Sequence, residues 1–112
     1  MAEVSTDRLE EELRGHNVDV QSLDPGDPLE LTYLTAFPGP EVNHTEMGQA
    51  LTAFVELAAA GEWEPSRVEA TVLRSDDDVQ ATWHAEAEWF RELASYDITE
   101  TEFSTRVLET VE

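Results

Sequence analysis

The chain has 112 residues, 26 acidic against six basic, with a net charge of −20 and no cysteine. That length suits one domain with its own core, here 1–112, and is too short for two of ordinary size. The missing cysteine excludes disulfides and zinc thiolates, and singly placed arginines give no electrostatic footprint for nucleic acid or an anionic membrane.

All six basic residues are arginine (Arg8, Arg14, Arg67, Arg74, Arg91 and Arg106), and acids occur in every segment rather than in a tail. Such a chain repels itself in dilute buffer, and molar salt screens that repulsion to within ~3 Å. The composition is that expected of a halophile. No apolar run approaches the ~18 residues of a membrane span and no signal peptide precedes the polar start, so the expected location is the cytoplasm.

In chain order, the first element is a helix over about residues 6–14. Ser5 or Thr6 is its cap, Leu9 and Leu13 share a face, Val4 is a candidate staple onto Leu9, and Gly15 is the stop. Residues 18–37 and 68–87 then align without a gap, Val18 with Val68, Leu23 with Leu73, Asp27 with Asp77 and Thr32 with Thr82. Each stretch reads as strand, four-residue turn, strand, so both are hairpins of one design. In the second, facing Arg74 with Val79 puts Val72 opposite Ala81, Ala70 opposite Trp83 and Val68 opposite Ala85. Thr71 then meets Thr82, Glu69 meets His84 and Arg67 meets Glu86 on the other face. A one-residue slip would bury those charges.

A helix follows each hairpin. "NHTEMGQALTAFVELAAAG" opens with Asn43 as cap and Glu46 as the far member of a capping box, and Gly61 stops it. A shorter helix spans about residues 87–95, with Phe90, Leu93 and Ala94 on one side. The last carries the box Thr99 to Glu102, then Phe103, Val107, Leu108 and Val111. The order α-ββ-α-ββ-α-α predicts an α+β two-layer sandwich: an antiparallel sheet of two hairpins with helices on one face. A ferredoxin-like sheet with a swapped strand is the alternative.

Few residues suggest chemistry. His44-Thr45-Glu46 and His84-Ala85-Glu86 are two H-x-E triplets, and imidazole with carboxylate suits zinc, iron or manganese. Alternation with Trp83, Ala85 and Ala87 instead makes His84 part of a solvated strand face, beside Glu69. "RSDDD" lacks the spacing and glycine of a calcium loop and reads as a turn. No cysteine, lysine or G-x-S-x-G elbow supports nucleophilic catalysis, and "FPGPEVNH" reads as a rigid connector rather than an anion site. Trp63, in "GEWEP" after a helix stop, is the candidate partner-binding residue; the alternative is a side chain lying over the edge of the core.

"LTYLTAFPGPEVNHTEMGQAL" together with "TWHAEAEWFRELASYDITETEFSTRVLETV" resembles small, uncharacterised acidic proteins of halophilic archaea, over nearly the whole chain. That resemblance implies no function. The tail also resembles a short C-terminal helical module of bacterial proteins, with Asp97 where the module has glycine; the likeness covers one helix.

The expected function is that of a non-enzymatic interaction module or adaptor. It has no catalytic residues and no cofactor, and its partner is another protein rather than nucleic acid or membrane. It acts as a monomer or weak homodimer. The alternative is a small metal- or ligand-binding protein using His44, Glu46, His84 and Glu86.

Overall fold

The computed structural model describes residues 6–112. Its elements run α1 (Thr6–Gly15), β1 (Asp19–Asp24), β2 (Leu29–Leu34), α2 (His44–Ala59), β3 (Val68–Ser75), β4 (Asp78–Ala85), α3 (Ala87–Ala94) and α4 (Glu100–Leu108). The expected α+β order holds. The proposed Ser5 cap and Val4 staple lie outside the described residues, and Thr6 is the first helical position of α1.

The sheet order is β1-β2-β3-β4. Both hairpins are antiparallel, but β2 pairs with β3 in parallel, so the sheet is mixed. The cause is α2. Its 16 residues span about 24 Å at 1.5 Å per residue, enough to carry the chain back along a six-residue strand of about 20 Å. The strand after such a crossover starts at the same end as the one before it. The likeness of the two hairpins is therefore one of pattern. With the covered face toward the viewer, the chain turns one way from β1 to β2 and the opposite way from β3 to β4, so a rotation that superposes the strands exchanges the covered and open faces.

Hairpin two keeps the expected register from Val68↔Ala85 to Val72↔Ala81, including Glu69↔His84 and Thr71↔Thr82. Its turn differs. Leu73, not Arg74, faces Val79, and Ser75 faces Asp78, which leaves a two-residue turn and two register shifts, at Gln80 on β4 and at Arg74 on β3. The shift at Gln80 turns Val79 outward, where it is 53% exposed.

Alternation gives each sheet face its character. Leu29, Leu31, Tyr33, Val68, Ala70, Val72, Ala81 and Trp83 are buried under the helices. The other face carries three cross-strand rows: Asp24, Glu30, Glu69 and His84; Ser22, Thr32, Thr71 and Thr82; and Leu34 beside Leu73. The β4 edge is closed by the tail. Thr82 and Glu112 exchange backbone hydrogen bonds at 3.0 and 2.9 Å, and the Thr110 hydroxyl accepts from the His84 N–H at 2.9 Å. The β1 edge keeps Asp19 and Asp24 and a bulge at Gln21, features that discourage strand addition.

The first three helices end alike. The N–H two residues past the C-cap returns to the carbonyl three residues from the helix end: Val18 to Leu13 (3.0 Å), Glu62 to Leu57 (2.9 Å) and Asp97 to Glu92 (2.8 Å). This motif needs a left-handed residue just after the C-cap. Asn17 (φ 67), Gly61 (φ 72) and Tyr96 (φ 62) fill that place. Asparagine and glycine tolerate it, whereas tyrosine is strained there by about 1–2 kcal/mol.

Trp63 is a correction. Its N–H, like that of Glu62, bonds to the Leu57 carbonyl (3.2 Å), which folds the chain back over α2. The indole then packs between Phe54 (ring centroids 5.0 Å) and Phe90 (5.1 Å) and is only 7% exposed. A side chain this covered belongs to the core and offers no anchor to a partner.

Candidate functional site

α2 buries Met47, Ala50, Leu51, Phe54 and Leu57 against the sheet. Its neighbouring stripe, with Val55 and Ala58 half-buried, faces the corner where α3 turns into α4. Two clefts meet along this stripe, sharing Val55, Leu93 and Glu100. The larger, about 820 Å³, is lined mainly by aliphatic groups, among them Ala58, Pro65 and Ile98. The smaller, about 370 Å³, runs past Gly48, Thr52 and Phe103 and ends at His16. Tyr96 stands at the rim of the larger cleft, 93% exposed.

At the far end lies a group that sequence reading missed. His16 is the C-cap of α1, and Glu12 precedes it by one turn. Glu56 comes from α2. The His16 Nε2 is 3.2 Å from a Glu12 oxygen and 3.1 Å from a Glu56 oxygen. One ligand atom from each of the three lies within 4.8 Å of the others, and this is the group of potential metal ligands found among the described residues. Arg8 holds the other Glu12 oxygen at 2.9 Å and reaches across to Glu62 at 2.8 Å. Burial opposes charge on Glu12, but the bonds from Arg8 and His16 prevail and hold its carboxyl below the usual range. Glu62 is held low in the same way by Arg8. The available signal was the i,i+4 spacing of Glu12 and His16, which an expected helix stop at Gly15 obscured.

The two H-x-E triplets fall in different places. His44 is exposed in the first turn of α2. Glu46 is 3% exposed, and its carboxylate accepts from the Thr35 hydroxyl (2.6 Å) and the Ala36 N–H (3.0 Å). It therefore ties the start of the β2–α2 loop to α2 instead of closing a capping box with Asn43, whose side chain alone makes the cap. His84 projects from the open sheet face, 3.5 Å from Glu86 and stacked on Trp89 with ring centroids 6.1 Å apart. Glu86 is engaged by Arg67 at 2.5 Å, and Arg67 forks to Glu69 at 2.8 Å. These carboxylates raise the Arg67 pKa, Glu69 most of all. His84 thus sits in a solvated charge network on the face expected for it.

Among the described residues no helix is long and apolar enough to cross a membrane. Over residues 1–112 the chain matches, and belongs to, the family described as a domain of unknown function, DUF8159. No curated protein and no solved structure matches it.

Proposed function

We propose that this member of the DUF8159 family is a non-enzymatic interaction module that receives an apolar side chain of a partner protein in the larger cleft, with Tyr96 as its own anchor. The observation that carries this reading is Tyr96 itself. It occupies a left-handed position, φ 62, where the other two helix ends use Asn17 and Gly61, and it is 93% exposed. Its backbone closes α3, donating to the Leu93 carbonyl at 3.1 Å, but glycine would serve that cap without the strain, and the exposed ring gives the isolated fold little burial. Strain of this kind points to a role outside folding, and exposed tyrosine is a favoured residue of binding hot spots. The aliphatic lining of the cleft gives a partner apolar area to cover.

The proposed setting is a cytoplasm rich in salt, supported by the charge of −20 and the absence of lysine. Screening there weakens charge contacts, so the affinity comes from apolar burial. The partner is proposed to be a protein, and the free chain a monomer or weak homodimer.

Tyr96→Gly tests the reading in two parts. The variant should be more stable than the parent by about 1 kcal/mol, because glycine relieves the left-handed strain. It should also fail to retain, in molar KCl, a protein that the parent retains from the cells that make it. A less stable variant, or one that retains the same protein equally well, overturns the assignment.

A further inference from the structure

We infer that Glu12, His16 and Glu56 form a divalent-cation site between α1 and α2, holding an ion such as Mn²⁺ or Zn²⁺ through one imidazole nitrogen and two carboxylate oxygens. One nitrogen with two carboxylate oxygens is a donor set that both ions accept. Bonds of about 2.1 Å at angles between octahedral and tetrahedral place neighbouring ligand atoms roughly 3.0–3.4 Å apart. The two His16 Nε2 to carboxylate distances, 3.2 and 3.1 Å, already have that length.

The triad is poorly explained as a set of hydrogen bonds. Nε2 carries at most one proton, and two carboxylates converge on it. A ligand oxygen of Glu12 and one of Glu56 also lie within 4.8 Å of each other. A divalent ion in place of the Nε2 proton satisfies all three groups together. Arg8, on the other Glu12 oxygen at 2.9 Å, fixes the orientation of that carboxylate. Glu12 and His16 are one turn apart on α1, while Glu56 belongs to α2, so a bound ion clips the two helices together. It also lies where His16 closes the smaller cleft.

The full chain, freed of metal with EDTA, is titrated with MnCl₂ and separately with ZnCl₂ in molar KCl. Molar potassium suppresses diffuse condensation of divalent ions on exposed acids and leaves mixed nitrogen–oxygen coordination. The expected result is one ion per chain for at least one metal, with a raised melting midpoint. Affinity should fall by about tenfold or more in both His16→Gln and Glu56→Gln, and stay unchanged in His84→Gln. Circular dichroism establishes that each variant is folded; neither ligand position is in the core. No saturable binding of either metal, or binding that either ligand variant leaves intact, overturns the site. This outcome is independent of the Tyr96 variant, because Tyr96 supplies none of the three ligand atoms.

Discussion

The indole N–H of Trp83 on β4 donates to the hydroxyl of Tyr33 on β2, at 3.1 Å, over the intervening strand β3. The bond is possible because Ala70, the β3 residue paired with both Leu31 and Trp83, is small. Both rings are essentially buried, at 0% and 2% exposure. Burial, together with the charge of Glu46 and against the Trp83 bond, pushes the Tyr33 phenol well above its ordinary range. Tyr33→Phe leaves the Trp83 N–H without its partner and should cost about 1–3 kcal/mol in a urea series.

The same pair predicts an alkaline response. Below pH 10, the ordinary phenol value, both folded and unfolded chains keep the Tyr33 proton. Above it the unfolded chain loses that proton first, so stability falls as pH rises. Urea midpoints across that range should show a steeper decline for the parent than for Tyr33→Phe. Equal slopes would mean that Tyr33 ionises alike in both states.

Trp63→Ala should cost about 3–5 kcal/mol, as for a large buried aromatic. Its contacts to Phe54 and Phe90 continue to Phe103 (centroids 5.1 Å from Phe90), so the loss opens a gap between α2, α3 and α4. A cost under about 1 kcal/mol, the size usual for a peripheral loop aromatic, would contradict this packing.

Glu46→Gln keeps the shape of the side chain and changes one acceptor into a donor. Thr35 and Ala36 both donate to Glu46, so one of them meets an amide hydrogen or turns away. Denaturation should show a loss of about 1–3 kcal/mol. Glu41→Gln, at an exposed neighbouring position, should change stability by less than about 0.5 kcal/mol.

Stability should rise steeply from low salt to molar KCl. The charge of −20 is spread over a short chain, and only screening or counterions relieve the repulsion. Thermal melts across that range are the measurement; a midpoint that stays level or falls with salt would count against adaptation to high salt.

Much of this architecture is local and was legible in the residues. The period of Leu9 and Leu13, the Asn43 and Thr99 caps, and the alternation through Val68, Ala70 and Val72 depend on neighbours a few positions apart, so periodicity and capping chemistry specify them. The His84 face follows from the same alternation. What only the tertiary structure decided involves partners far apart in the chain. The parallel β2–β3 junction depends on how α2 packs. The burial of Trp63 depends on Phe90, and the capture of the Glu46 carboxylate depends on where the β2–α2 loop comes to rest. His16 meets Glu56 across 40 positions and Trp83 meets Tyr33 across 50. Such pairs form only when helices and strands dock, because local spacing carries no information about which surfaces the core brings together.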